Sequence, residues 1–200
     1  MENKKSNWRE ELKKRYRKLE KTLSYNCGHD EKDMNQMEEE MDTIDHVIFC
    51  TGDFYDAVAS CMKENGIHEV VDIGCANGHQ AEVFLQNGLS YTGVECCTYL
   101  DMWKPEQVTY LFGVYPFSIG EKRRLGCSNL CYGYLVHDYK ALAEQFDEVI
   151  LGNIQDKNEI EKYFTIHEMM EEAFYPEERS RTIYLLKNKN GWCAEPAPQV

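Results

Sequence analysis

The chain lacks any run of about 18 apolar residues, so it holds no stretch suited to cross a bilayer as a helix. Its first residues, MENKKSNWREE, contain no apolar h-region, and no secretory leader is expected. Cys-x-x-Cys is missing despite nine cysteines, which removes the usual spacing of zinc ribbons and thioredoxin-like redox centres. An odd cysteine count without an export signal points to reduced thiols in a cytoplasmic protein. Positive charge is scarce: 22 Lys and Arg stand against 35 Asp and Glu, a formal net charge of −13. That excess opposes non-specific binding to nucleic acid or to an anionic membrane. It favours a small molecule, a basic protein or no charged partner at all. Two hundred residues make one principal domain with a sizeable core.

What is present is concentrated between Glu69 and Glu95. Val70 and Val71 begin a strand that continues through Asp72 into Gly74-Cys75-Ala76-Asn77-Gly78. Ala81, Phe84 and Leu85 then share one helical face, with Gly88 as its stop. Tyr91-Thr92-Gly93-Val94 forms a second strand ending on Glu95. Strand, glycine loop, helix, strand and acid make a βαβ unit of the kind that holds nucleotide-like ligands. Small residues at 74, 76 and 78 let backbone N–H groups approach a ligand closely. A carboxylate at Glu95 suits the two hydroxyls of a ribose. Asp72 stands just before the loop, where it suits a cationic ligand and repels a pyrophosphate. A dinucleotide fingerprint requires G-x-G-x-x-G, and counting from Gly74 its third glycine falls on His79.

Asp72-Ile73-Gly74-Cys75-Ala76-Asn77-Gly78, followed by Gly93-Val94-Glu95, resembles the class I S-adenosylmethionine-dependent methyltransferases. The resemblance covers residues 66–95 closely and extends loosely to about residue 187. It implies a Rossmann-like α/β fold, a mostly parallel sheet with helices on both faces, and S-adenosylmethionine as cofactor. It assigns Asp72, Gly74, Cys75, Ala76, Asn77, Gly78 and Glu95 to cofactor binding. Ala76 replaces the family's middle glycine, and Gly113-Val114 stands where an acid for the adenine amine is expected, ahead of Pro116-Phe117. The implied activity is methyl transfer to a small molecule or protein side chain. A methyltransferase-like domain that binds cofactor or partner without turnover is the alternative, because no Asn/Asp-Pro-Pro-Tyr signature follows strand four.

The first 25 residues reverse the chain's charge, with nine Lys and Arg against four Asp and Glu. Trp8, Leu12, Tyr16, Leu19 and Leu23 recur at helical spacing. That face packs on the body or on a second copy, which would give a homodimer through the N-terminal helices. Residues 30–45 form an acidic helix with Met34, Met37, Met41 and Ile44 on its apolar face. Opposite charges set the two helices against each other as a hairpin. Asp53 is expected to cap a third helix. Residues 1–65 thus make a helical extension, 66–190 the Rossmann-like domain, and 191–200 a frayed tail; the family resemblance implies that the extension serves as a lid over the cofactor pocket.

Beyond Glu95, residues 96–103 read as a short helix and Val108–Phe112 as strand three. Glu121–Gly126 reads as a charged loop, and strand four spans Asn129–Leu135; the family resemblance implies that the carboxyl end of this strand faces the methyl group, which makes Tyr132 and Tyr134 candidate substrate contacts. Strand five spans Glu148–Leu151. A long acidic helix with Ile160, Phe164, Met170 and Phe174 inward precedes a last strand at Thr182–Leu186, so the final hairpin reads as trimmed. Cys75, Cys96, Cys97 and Cys131 gather near the carboxyl edge of the sheet. Without paired-cysteine spacing they read as buried thiols, and no metal is assigned.

Overall fold

Successive side chains on a strand point to opposite faces, and β1 (Glu69–Ile73) is apolar and buried on both. Val70 belongs to one hydrophobic cluster, Val71 and Ile73 to another, as in a sheet covered by helices on both sides. The computed structural model describes residues 7–25, 30–98, 100–129, 137–174 and 179–190. β1 lies between β2 (Ser90–Glu95) and β4 (Arg123–Ser128). β3 (Thr109–Phe112) pairs outside β2, and β5 (Phe146–Leu151) outside β4, all in parallel. β7 (Arg179–Asn188) runs antiparallel to β5, and β6 (Phe164–Phe174) antiparallel to β7. The order is β3-β2-β1-β4-β5-β7-β6, the mostly parallel Rossmann-like sheet that the resemblance implies.

The chain builds β2 and β3 on one side of β1, then crosses to build β4 on the other. The carboxyl ends of β1 and β4 therefore form a topological switch point, where open α/β sheets bind ligands. The 74–78 loop leaves β1 there.

One face of the sheet is covered by α1 (Trp8–Tyr25), α2 (Glu31–His46), α3 (Gly52–Glu64) and the short α4 (Ala81–Gln86). The apolar stripe of α1 is turned inward, with Trp8, Leu12 and Leu19 buried. The charge reversal between α1 and α2 also has its expected use. Arg15 clamps the Glu40 carboxylate with two hydrogen bonds of 2.7 Å, a fork geometry that lysine cannot supply. The helix Tyr139–Gln145 covers the opposite face through Tyr139 and Leu142. Among the described residues no helix is long and apolar enough to cross a membrane.

Four expectations are corrected. The charged run at 121–126 is the entry to β4, not a loop. Its cations are satisfied at the strand's edge, Lys122 by Asp147 at 2.7 Å and Arg123 by Glu69 at 2.9 Å, while Leu125 and Cys127 turn into the core. Strand four thus ends at Ser128, earlier than read, and Tyr132, Tyr134 and Cys131 lie outside the described residues. The long acidic helix is instead one turn, Lys157–Ile160, followed by β6, so the terminal antiparallel hairpin is complete. Its acids are tolerated because β6 is an edge strand. Asp53 does not cap α3. A π-helical turn, Val47–Thr51, carries the chain directly into Gly52, and Asp53 sits in the first turn paired with Arg9 at 2.7 Å. Finally, the described part of 96–103 runs as bends and turns rather than helix. The 191–200 tail lies outside the described residues.

Candidate functional site

Three residues of the loop hold positive φ: Gly74 at 80°, Ala76 at 47° and Gly78 at 77°. Glycine adopts this conformation readily, whereas a residue with Cβ is strained by roughly 1–2 kcal/mol. The one departure from the D-x-G-x-G-x-G pattern therefore carries the strain. The loop is tied to the second strand, since Gly74 and Cys75 donate to the Val94 carbonyl at 2.9 and 3.1 Å. Close packing also requires glycine at 93 and 78. A Cβ on Gly93 would meet Cys75 Sγ at 2.6 Å and the Tyr110 ring at 2.9 Å, and one on Gly78 would collide with the Tyr110 hydroxyl.

Glu95 ends β2 with both carboxylate oxygens engaged. Oε2 accepts the Ala76 N–H at 2.8 Å. Oε1 accepts the N–H groups of Cys96 at 2.8 Å and Cys97 at 3.1 Å, and the Cys96 thiol at 3.2 Å. Burial pushes this carboxyl up, but the Cys96 thiol and the three backbone donors outweigh it and hold the pKa below the ordinary value. The acid is thus ionised and fixed against the loop. Beside it the register pairs Glu95 with Phe112. Phe112, beside that carboxylate, is 44% exposed, and Val114, two residues on, is 81% exposed.

Asp72 is placed differently from a ligand contact. It is fully buried beneath α3 and α4. Oδ2 accepts Gln80 Nε2 at 2.7 Å and the Tyr91 hydroxyl at 2.6 Å, and Oδ1 faces the Cys127 thiol at 3.5 Å. Burial raises its pKa, and hydrogen bonds from Gln80, Tyr91, Cys127 and Tyr55 work against that rise. Gln80 Nε2 also donates to the Cys75 carbonyl at 2.9 Å, so Asp72 braces the loop from within. The signal for this arrangement is strand alternation: the register sets Asp72 opposite Gly93, which puts Tyr91 on the same face. Cys75 is 1% exposed, and burial pushes its thiol well up.

Asn77 is held under the N-terminal helices. Its side chain donates to the Asp101 carbonyl at 3.1 Å and accepts from Thr43 of α2 at 3.3 Å, while its own carbonyl receives the Trp103 N–H at 2.8 Å. Next to it His79 Nε2 lies 3.4 Å from Glu40 Oε1, its ring 5.2 Å from that of Trp103. Burial opposes ionisation of Glu40, but His79 and Arg15 together lower its pKa to about 2. A small cavity of about 40 Å³ remains between Glu39, Glu40, Asn77, Leu100 and Asp101. Glu40, His79 and Trp103 were not singled out as a unit by sequence, because their contacts join segments 39 and 24 residues apart. The structure therefore brings Gly74, Ala76, Asn77, Gly78 and Glu95 together at the switch point, with Asp72 and Cys75 buried behind them.

No protein-family model matches the sequence, and no curated protein matches it significantly. Solved structures do match. The bifunctional kinase-methyltransferase WbdD is 17% identical over 69% of this chain and 40% of that chain, with a TM-score of 0.55. This chain thus spans about two fifths of the length of WbdD. Magnesium protoporphyrin IX methyltransferase (ChlM) from Synechocystis PCC 6803, solved with bound S-adenosylmethionine, is 15% identical over 88% of this chain and 90% of that one, with a TM-score of 0.50. The methyltransferase domain of a bacterial Hen1 is 13% identical over 66% and 96% of the two chains, also at 0.50. At these identities the likeness is one of fold, and the chain has the class I methyltransferase fold.

Proposed function

We propose that this chain is an S-adenosylmethionine-dependent methyltransferase whose acceptor is a small molecule or a protein side chain. The observation that carries the proposal is Glu95: an ionised carboxylate at the carboxyl end of β2, hydrogen-bonded to the glycine loop and registered against exposed Phe112 of the neighbouring strand. The donor set fits the cofactor. Glu95 accepts the ribose hydroxyls, with the cis-diol replacing some of the N–H groups and the thiol it now holds. Phe112 and Val114 offer an apolar bed for the adenine, and Gly74, Ala76, Asn77 and Gly78 enclose the amino-acid end. Asp72 and Cys75 act from behind, by fixing Gln80 and the turn.

The bound cofactor supplies an electrophilic methyl group on a sulfonium whose departure as a neutral thioether is favourable. The protein's task is then to position the acceptor and exclude water. α2, pinned beside the loop through Thr43–Asn77 and Glu40–His79, and α1, clamped to it through Arg15–Glu40, form the lid of this reading. With a formal charge of −13, the chain favours an uncharged or cationic acceptor in the cytoplasm.

The test is calorimetric titration with S-adenosylmethionine, S-adenosylhomocysteine and NAD. Micromolar binding of the two sulfur compounds without NAD supports the proposal. Binding of NAD alone, or of none, overturns it.

A further inference from the structure

Of the described cysteines, Cys61, Cys75 and Cys127 are buried, whereas Cys96 is exposed and Cys97 half-buried. These last two follow Glu95 directly at the end of β2. Their sulfurs lie 3.8 Å apart, and Cys96 Sγ lies 3.2 Å from Glu95 Oε1. One ligand atom from each of the three residues falls within 4.8 Å of the others. Tetrahedral zinc with Zn–S bonds of about 2.3 Å requires sulfurs about 3.8 Å apart, and a carboxylate oxygen at about 2.0 Å from the metal sits about 3.5 Å from each sulfur. The sulfur pair already matches that edge, and the Cys96 sulfur is within about 0.3 Å of its required separation from the oxygen.

The same geometry disfavours a disulfide. Neighbouring residues across a trans peptide have Cα atoms about 3.8 Å apart, below the roughly 4.4–6.8 Å span of unstrained disulfides. Two thiols that cannot easily oxidise against each other, beside a fixed carboxylate, make a chelate instead. Two sulfurs and one oxygen select a borderline-soft divalent ion over calcium or magnesium, which take oxygen ligands.

We propose that Glu95, Cys96 and Cys97 form a binding site for a thiophilic divalent cation of the zinc class, with a fourth position left to solvent. Each thiol that ligates releases its proton to solvent, and the two thiolates and the carboxylate bind the dication with no change of oxidation state. The site shares Glu95 with the ribose contact assigned above. If that assignment holds, and this consequence rests on it, ion and cofactor exclude each other and the metal acts as a competitive inhibitor.

Cobalt(II) is the probe, because thiolate ligation gives it a charge-transfer absorption and a tetrahedral site gives it intense visible bands. The wild-type chain is expected to bind cobalt with both signatures and to lose them when zinc is added. Cys96→Ser and Cys97→Ser should each weaken binding at least tenfold, while Cys50→Ser does not, with unchanged urea melts confirming that all three variants fold. Absence of the charge-transfer band, or its survival in the Cys96→Ser/Cys97→Ser double variant, overturns the site. A second titration measures S-adenosylhomocysteine affinity with and without zinc. A tenfold loss in wild type, absent in the double variant, supports the shared carboxylate. Cobalt binding with unaltered S-adenosylhomocysteine affinity upholds the metal site and removes Glu95 from the nucleoside contact, so the two readings fail separately.

Discussion

Glu95 accepts the backbone N–H of Ala76 at 2.8 Å, and this single bond fastens the end of the second strand to the strained centre of the glycine loop. The acid is therefore oriented before any ligand arrives, and its carboxylate is kept ionised by the donors around it. Preorganisation of this kind lowers the ordering cost of binding.

Removing the charge while keeping the shape isolates the role of Glu95. Glu95→Gln should fold with a melting temperature close to that of wild type and bind S-adenosylhomocysteine about 10- to 100-fold more weakly, since hydrogen bonds to a charged group contribute about 1.5–3 kcal/mol. Calorimetry on the two proteins measures it. Equal affinities would remove Glu95 from the site.

Asp72 should behave oppositely. Asp72→Asn retains an acceptor for Gln80 and Tyr91 and removes a buried charge, so stability and S-adenosylhomocysteine affinity are expected to change little. Asp72→Ala strands the Gln80 and Tyr91 donors in the core and should destabilise by about 2–5 kcal/mol. Urea melts of both variants, with ligand titration of Asp72→Asn, separate a brace from a ligand contact. A large affinity loss in a well-folded Asp72→Asn would restore the contact.

The loop's backbone makes a paired prediction. Ala76 sits at φ 47°, so Ala76→Gly relieves strain and should stabilise by up to about 1 kcal/mol after the added freedom of the unfolded chain is counted. Gly93→Ala drives a methyl group into Cys75 Sγ and Tyr110 and should destabilise by about 1–3 kcal/mol. Chemical denaturation checks both signs.

These expectations show which features the sequence carried. The βαβ unit was readable because strand, small-residue loop and helix are contiguous and each has its own period. β4 was hidden by Lys122, Arg123 and Arg124, whose charges resemble a loop until Asp147 and Glu69 are seen across the sheet. β6 was hidden by its acids, which a surface helix and an edge strand accommodate equally well. The inward commitment of Asp72 depends on Tyr91 and Cys127, 19 and 55 residues away. A motif read along the chain sees the carboxylate but not the donors that occupy it.

The contact between Glu40 of α2 and His79 carries a pH dependence. In the folded chain Glu40 has a pKa of about 2 against an ordinary 4.5. The folded state thus binds this proton less readily than the unfolded one, and the associated stabilisation is full above about pH 5 and is lost as the pH falls toward 2. Hydrogen exchange of α2 amides should accelerate across that window in wild type. The acceleration should be smaller in Glu40→Gln, whose side chain does not titrate. Identical profiles would show that α2 is held by other contacts.

The most direct measurement is a crystal structure of the chain with S-adenosylhomocysteine. The account requires the ribose hydroxyls within about 2.6–3.2 Å of the Glu95 carboxylate, the adenine against Phe112 and Val114, and the amino-acid end enclosed by residues 74–78. A nucleoside bound elsewhere, with Glu95 still holding Ala76, Cys96 and Cys97 alone, would contradict it.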